Sequence, residues 1–169
     1  MLLIEGTCCM NHMDNANLTK IGLIVDNIEE AARRYCALFN LPMPEIQVPT
    51  LDDPPASQTD DSYTWYRGER RDTRTKFANL QMGPVTIELL EPLDEPSPWS
   101  EYKQKHGQGV HFITFTVEGF EQHIDFLEQQ GLPLIHKGEY GSGRYSYFDS
   151  EQALGVTLGV QEIGPKREL

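Results

Sequence analysis

Lys20 and Glu88 are the two charged side chains whose positions in this sequence could support chemistry. Lys20 lies in the strand-like segment 18–25. Glu88 lies in a second such segment, 84–91. Side chains alternate between the faces of a strand, and the uniformly apolar set of each segment must pack on a helix, which leaves Lys20 and Glu88 on the inward face. Because unpaired charges are expensive to bury, this face is predicted to line a cleft in which the lysine could clamp an anion.

The same alternation gives the other members of the inward face. They are predicted to contact a bound molecule and comprise Thr86, Phe112, Thr114, Thr116, Thr157, Gly159 and Gln161. In segment 144–148 one of two alternating sets faces the cleft, and the sequence leaves open which one. Tyr145 and Tyr147 would supply aromatic walls. Arg144 would hold a carboxylate through two parallel hydrogen bonds, or would simply lie on the surface after a glycine turn.

Histidine and tryptophan residues give weaker signals. His123 and His136 fall on a predicted helix and at a strand end, where a single histidine usually serves packing or lies at the surface, so neither is assigned a role. Trp99 could wall a pocket, although packing in a core or an interface is the simpler interpretation.

An internal repeat accounts for the elements that position these residues. Segment 20–25 resembles segment 112–117, and segment 85–91 resembles segment 156–162. Self-similarity of this kind indicates two copies of one β-α-β-β-β unit. The predicted fold class is therefore α+β, with two paired βαβββ modules forming a cleft between curved mixed sheets.

The module boundaries follow from the repeat. We predict the following parts in chain order: an N-terminal extension at 1–17, a first module at 18–93 with a loop insert at 44–61, a linker at 94–109, a second module at 110–162 and a tail at 163–169.

Local signals define the elements within these parts. The first helix is predicted to start after Asn27, which forms a capping-box-like pair with Glu30, and to end at Asn40, whose amide suits the left-handed position that closes a helix. Periodicity and turn residues predict the remaining elements: helices at 99–105 and 120–130, a strand meander at 62–67, 73–80 and 84–91, and strands at 18–25, 110–117, 134–139, 144–148 and 156–162.

Four segments, in this order and spacing, resemble the vicinal oxygen chelate superfamily, which includes glyoxalase I, extradiol dioxygenases, bleomycin-resistance proteins and methylmalonyl-CoA epimerase. They are 20–25, 87–93, 97–98 and 109–117. The epimerase branch is the one that they resemble most, and the resemblance extends over residues 18–162. It implies paired βαβββ modules around a divalent metal.

The resemblance also indicates where the family holds its metal. The four ligand positions fall on Lys20, Glu88, Phe112 and Gly159, and of these Glu88 alone is a ligating residue type. One carboxylate cannot hold a divalent transition metal in a defined geometry. The resemblance therefore implies a cleft without metal or other cofactor, in which Lys20 and Glu88 form a salt bridge and serve as candidate catalytic residues. Alternatively, the pair only satisfies itself and keeps the cleft folded.

Two functions follow from the resemblance. One is an epimerase-like or glyoxalase-like enzyme, an isomerase or lyase without metal, acting on a small carbonyl or carboxylate compound through Lys20 and Glu88. The other is a non-catalytic protein that sequesters a ligand, as bleomycin-resistance proteins do, with the ring of Phe112 and the two tyrosines favouring this alternative. Either is expected to be a homodimer by analogy with the family.

Composition excludes other classes of partner. The formal net charge of −12 and the low pI disfavour nucleic acid and anionic lipid, whose phosphates are neutralised by Lys and Arg. No apolar run approaches the roughly 18 residues that a membrane span needs. Three cysteines without a regular framework indicate reduced thiols. We therefore expect a cytoplasmic protein with a small-molecule ligand.

Overall fold

The computed structural model describes residues 10–49, 63–71, 73–93 and 96–165. Helices in this part of the chain are too short and too polar to cross a membrane. In chain order the elements are β1 (Leu18–Ile24), α1 (Ile28–Phe39), β2 (Tyr63–Tyr66), β3 (Glu69–Arg70), β4 (Thr75–Met82), β5 (Val85–Pro92), α2 (Pro98–His106), β6 (Gly109–Thr116), α3 (Phe120–Gln129), β7 (Leu134–Tyr140), β8 (Gly143–Phe148), α4 (Glu151–Leu154) and β9 (Thr157–Ile163).

The nine strands found among the described residues belong to one mixed sheet in the order β3-β2-β7-β8-β9-β6-β1-β5-β4. β1 runs parallel to β5, and β6 runs parallel to β9. These two equivalent pairs meet where β1 lies antiparallel to β6. The predicted α+β class is confirmed, and the two halves of the repeat share one continuous sheet across the β1–β6 junction.

The position of β2 differs from the prediction. The sequence order suggested a meander of β2, β4 and β5, but β2 pairs with β7, placing Tyr63 opposite Glu139 and Tyr66 opposite His136. A single bridge from Gln47 to Phe77 lies beside β4 instead. Local alternation specifies that a segment is a strand, whereas its neighbour is chosen by contacts far along the chain. Of the predicted loop 44–61, residues 50–61 lie outside the described residues.

Helix α1 has the predicted boundaries. The Asn27 side chain accepts a hydrogen bond from the Glu30 amide at 2.8 Å. Asn40 adopts the left-handed conformation, and its amide bonds to the Cys36 carbonyl. The Glu30 carboxylate binds Arg34 rather than closing a capping box. The buried face of α1 packs on β4 and β5 in a cluster that includes Ile28, Ala32, Cys36, Ala78, Leu80 and Leu89.

Helix α3 covers the other half of the sheet. Its residues Phe120, Ile124 and Leu127 are buried, and they pack with Phe148 and Val160. Residues of the N-terminal extension reach this cluster as well, because Met10 and Met13 pack against it. The short helix α4 was not predicted, since a single turn after Ser150 leaves no periodic signal. The two helices therefore bury one face of the sheet, and the opposite face remains for a cleft.

Candidate functional site

Lys20 and Glu88 meet on the face of the sheet opposite the long helices. In the parallel pairing of β1 with β5, Lys20 lies opposite Thr86, two residues from Glu88 on the same face. The lysine side chain spans this offset, and its Nζ lies 2.8 Å from Glu88 Oε1. Their side chains are 22% and 12% exposed, so the ion pair is partly shielded from water. The fold thus brings the two predicted charges into direct contact.

A cavity of about 420 Å³ opens beside this ion pair. Six of the predicted site residues line it: Lys20, Glu88, Thr114, Tyr145, Tyr147 and Gln161. The wall is completed by residues that were not proposed as ligand contacts: Thr64, Thr73, Thr75, Phe77, Asn79, Leu90, Trp99 and Tyr140. The cavity therefore has an ionic end, several amide and hydroxyl groups, and an aromatic wall.

Three of the predicted threonines do not line this cavity. The Thr86 hydroxyl donates to Gln81 Oε1 at 3.0 Å near the β4–β5 turn. Thr116 lies further along β6 than Thr114, and its hydroxyl binds Thr19 and Gln161 at 2.8 Å. Thr157 lines a smaller cavity of about 180 Å³ beside α2. Alternation gave the correct face of each strand, but distance along the strand decides which residues reach the cavity.

Gly159 faces Thr114 across the β6–β9 pair. A Cβ atom on Gly159 would lie 2.4 Å from Thr114 Oγ1, so the glycine leaves space for the threonine hydroxyl that lines the cavity. Gly159 thus contributes to the site by its lack of a side chain.

Arg144 points away from the cavity. It is buried on the opposite face of β8, where its guanidinium pairs with Glu162 and lies 3.9 Å from Glu139 Oε1. The carboxylates that this arginine engages thus belong to the protein. The suggestion that Arg144 clamps a bound carboxylate is corrected accordingly. Of the two alternating sets on β8, the one with Tyr145 and Tyr147 faces the cavity.

Phe112 lies in a packed layer beneath the cavity. Its side chain is fully buried with Ile24, Leu90, Trp99 and Tyr147. The ring crosses over Gly22 on the neighbouring strand, where a Cβ atom would lie 2.2 Å away. Phe112 therefore shapes the cavity through its packing with Tyr147 rather than by lining it.

His136 is the main residue that sequence reasoning missed. It is fully buried and stacks on Tyr147, with ring centroids 5.5 Å apart. Its Nε2 lies 3.1 Å from the Tyr145 hydroxyl oxygen. Burial lowers the pKa of His136 to about 3, so the ring is neutral at pH 7. The sequence feature that could have identified His136 is its place on the inward face of β7, two residues before Gly138.

The two cavity tyrosines stay protonated at neutral pH. Burial raises the pKa of Tyr145 and that of Tyr147 well above the ordinary value, and the negative charge of Glu88 adds to both shifts. They can therefore act as hydrogen-bond donors or acceptors, not as phenolates.

Strand β4 supplies three further cavity residues that were missed, Thr75, Phe77 and Asn79. Ala78 and Leu80 pack against α1, so alternation places these three on the cavity face. The pattern was present in the sequence, and applying the alternation rule to this strand would have found them.

The residues at the family's metal positions do not fit a metal. Glu88 is held by the Lys20 ammonium, Phe112 presents a buried hydrocarbon ring, and Gly159 has no side chain. Within the described ranges, no group of three or more His, Cys, Asp or Glu side chains could hold an ion. A divalent cation would meet a lysine in place of its usual nitrogen ligands. The groups available for chemistry at this site are therefore its own side chains.

A continuous sheet built from two repeated units defines a two-module α+β fold. Over residues 19–148 the chain matches the Glyoxalase/Bleomycin resistance protein/Dioxygenase superfamily, and it belongs to that family. The resemblance inferred from the four sequence segments is thereby confirmed.

Two individual proteins are similar to this chain. The chain is 34% identical over 64 residues to the uncharacterized protein YqjC of Bacillus subtilis, a match covering 38% of this chain and 46% of that protein. The match thus spans about half the length of that curated relative. The solved structure of hypothetical protein BH1468 from Bacillus halodurans C-125 superposes with a TM-score of 0.57 at 25% identity, covering 90% of this chain and 97% of that one.

A methylmalonyl-CoA epimerase is among the structural neighbours. The enzyme from Mycobacterium tuberculosis superposes with a TM-score of 0.55 at 20% identity, covering 88% of this chain and 89% of that one. This similarity shows a shared fold.

Proposed function

We propose that the protein binds a small organic molecule with a carboxylate or carbonyl group in the cleft, without a metal, and acts on it there. The observation that carries this proposal is the ion pair of Lys20 and Glu88 in the wall of a cavity that also presents tyrosine and tryptophan rings. A volume of about 420 Å³ lies within the range of small-molecule sites, roughly 300–1,000 Å³.

The polar end of the ligand is assigned to Lys20. An anionic or carbonyl oxygen competes with Glu88 for the ammonium, and partial burial strengthens the attraction relative to bulk water. Asn79 and Gln161 offer amide groups for further polar contacts, while Leu90 and Trp99 contact the carbon skeleton. A small number of polar groups in a partly apolar wall is enough to fix the orientation of a ligand.

Catalysis of the isomerase or lyase type follows if the ligand displaces Glu88 from Lys20. The freed carboxylate is then a general base for a proton next to the carbonyl group, and the ammonium stabilises the negative charge that develops on the carbonyl oxygen. The fold shared with methylmalonyl-CoA epimerase is compatible with this chemistry. Lys20 and Glu88 are the proposed catalytic residues, and Thr114, Tyr145, Tyr147 and Gln161 are the proposed binding residues.

Sequestration without reaction is the second candidate. It is favoured by the aromatic part of the wall, where Trp99 and Tyr147 lie edge to face with centroids 6.3 Å apart. Such a wall can hold a flat ligand by stacking and needs no base.

Binding is tested by calorimetry on protein dialysed against a chelator. Propionate, pyruvate, methylmalonate and methylmalonyl-CoA serve as probes. Lys20→Met is expected to weaken binding of the best probe at least about tenfold, the equivalent of one charge-assisted hydrogen bond. Lys103→Met is the matched control, because Lys103 is also partly buried and paired, with Asp26 at 3.2 Å, outside the cavity wall. Equal affinities of the Lys20 variant and wild type would refute the proposal.

Hydrogen exchange separates catalysis from sequestration. The best probe is incubated with chelator-treated protein in D₂O, and loss of its proton next to the carbonyl is followed by NMR. An enzyme is expected to accelerate this loss, and Glu88→Gln should abolish the acceleration while binding persists. Tight binding without any acceleration would support sequestration instead.

We also propose that the protein is a homodimer in the cytoplasm. The family resemblance supports the dimer, and the free thiol of Cys36 suits a reducing compartment. Sedimentation analysis at micromolar concentration tests the first statement, and cell fractionation tests the second.

A further inference from the structure

We infer that the Tyr145 hydroxyl donates a hydrogen bond to the bound molecule, and that His136 is the positioning residue behind it. The inference rests on the proposed function, because it concerns the same cavity. It places a second hydrogen-bond donor, the Tyr145 hydroxyl, in the cavity beside Lys20. It also names the buried residue, His136, that fixes the direction of this hydroxyl.

The position of Tyr145 depends on Gly138. These residues face each other in the antiparallel pair of β7 and β8. A Cβ atom on Gly138 would lie 2.3 Å from Tyr145 Cε1 and 2.7 Å from its hydroxyl oxygen. Glycine weakens the interior of a strand and is typical of places where another group approaches closely. The tyrosine ring therefore lies directly across β7, and this brings its hydroxyl to His136.

The proton on His136 determines the role of Tyr145. The neutral imidazole carries one hydrogen, on Nδ1 or on Nε2. Nδ1 is buried and has no hydrogen-bond partner within the described part of the chain. A hydrogen on Nδ1 would leave a buried N–H group unsatisfied, which native proteins rarely tolerate. A hydrogen on Nε2 is instead donated to the Tyr145 oxygen, 3.1 Å away.

Thr64 lies beside Tyr145 on the cavity wall. Its side chain interacts with the Tyr145 hydroxyl and acts to lower the pKa of the phenol, which opposes the larger effect of burial. With His136 donating to its oxygen, Tyr145 retains its own hydrogen for a further partner. Both Tyr145 and Thr64 line the cavity, so that partner is a ligand acceptor oxygen.

The neighbouring Tyr147 is held differently. Its ring packs on Phe112, with centroids 4.6 Å apart, and stacks on His136. Its role is therefore to pack the cavity wall, and Tyr145 is the tyrosine directed by a histidine. The ligand class that fits Lys20 and Tyr145 together is a compound with a carbonyl or carboxylate oxygen, the group that two converging donors stabilise.

The first test needs no ligand. Nitrogen-15 NMR of the imidazole rings in the free wild-type protein at pH 7 reports which ring nitrogen of His136 carries hydrogen. The expected result is the Nε2–H form, with a changed Nε2 signal in Tyr145→Phe. Hydrogen on Nδ1, or a doubly protonated ring, would overturn the inference.

The second test uses 4-nitrophenolate, an oxyanion whose ionisation is visible by absorbance. Tyr145→Phe is expected to bind it about tenfold more weakly, which corresponds to one hydrogen bond of about 1.4 kcal/mol. Tyr35→Phe is the control, because Tyr35 lies on α1, where its ring stacks on Phe39, and is outside the cavity wall. Unchanged affinity in Tyr145→Phe would overturn this inference and leave the proposed function standing. Absence of binding to the wild-type protein would count against the anion-binding cleft itself.

The positioning role of His136 is tested with two substitutions. His136→Phe keeps an aromatic ring and removes the donor, so it should match the loss seen in Tyr145→Phe. His136→Gln retains an N–H donor and should restore part of the affinity. If both variants unfold at the same temperature as wild type and bind equally well, His136 has no positioning role. If either fails to fold, the NMR result and Tyr145→Phe still decide the inference.

Discussion

The ring of Phe112 lies over Gly22 so closely that a Cβ atom on Gly22 would fall 2.2 Å from it. The two residues face each other across the antiparallel junction of β1 and β6, which joins the halves of the repeat. Phe112 stands at a metal-ligand position of the family. A buried ring thus occupies the centre of the junction, and Lys20 with Glu88 form the polar part of the cleft beside it.

Gly22→Ala is expected to destabilise the protein, because the added methyl group must displace the fully buried Phe112 ring. Overpacking of this kind costs about 1–3 kcal/mol in the free energy of unfolding, measured by urea denaturation. Gly141→Ala is the control, since a Cβ atom there meets no atom within 4 Å. Adding Phe112→Leu to Gly22→Ala should recover part of the loss. A Gly22→Ala variant as stable as wild type would show that the junction can relax around the methyl group.

The purified protein is expected to contain much less than one equivalent of Zn, Ni or Co, because the donor set pairs one carboxylate with a lysine. Elemental analysis measures the content directly. Dialysis against a chelator should leave the thermal unfolding midpoint unchanged, since no structural metal is lost. A stoichiometric metal, removed with a lowered midpoint, would contradict the assignment of Lys20 and Glu88.

Stability is expected to fall as the pH is lowered from 7 to 5. Burial lowers the pKa of His111 to about 4 and that of His136 to about 3, against about 6.5 in the unfolded chain. In this window the unfolded state binds more protons than the folded state, so unfolding becomes easier as pH falls. The loss is on the order of 2 kcal/mol per histidine at pH 5 relative to pH 7.

Denaturant titrations at the two pH values measure this loss. His136→Phe removes one of the two titrating groups and should make the dependence on pH shallower. The same dependence in the variant and in wild type would mean that His136 does not contribute to it.

Asp14 is expected to hold the N-terminal segment on α3. Its Oδ2 accepts from the Glu118 amide at 3.1 Å, and its Oδ1 lies 3.1 Å from Nε2 of the buried His123. Because Gly119 before the helix offers no capping side chain, Asp14 supplies an acceptor there from a distant segment. Asp14→Ala should lower the free energy of unfolding by about 1–2 kcal/mol. Asp125→Ala, at an exposed position on α3, should cause no such loss.

The sequence predicted local structure well where the signals are local. The capping interaction of Asn27 and the left-handed Asn40 fixed both ends of α1, because each depends on residues within one helical turn. The inward face of β1 and β5 was also predictable, since alternation and the apolar set facing α1 leave only one orientation.

Such local signals do not specify which strands become neighbours in the sheet. β2 belongs to the first half of the chain yet pairs with β7 of the second half. This pairing brings Thr64 to the cavity wall beside Tyr145. No local pattern encodes it, because either sheet edge would accept a short strand with this alternation.

The candidate site shows the same division. Residue types alone predicted that the metal ligands implied by the family resemblance are absent and that a lysine and a glutamate take part of their place, because a side chain's ability to ligate a metal is fixed by its chemistry. Only the tertiary structure decided that Arg144 turns away to Glu162 and that the buried His136 lies within hydrogen-bonding distance of Tyr145. Those outcomes depend on which strands lie side by side and on how close two backbones come, which are properties of the packed chain rather than of any segment of it.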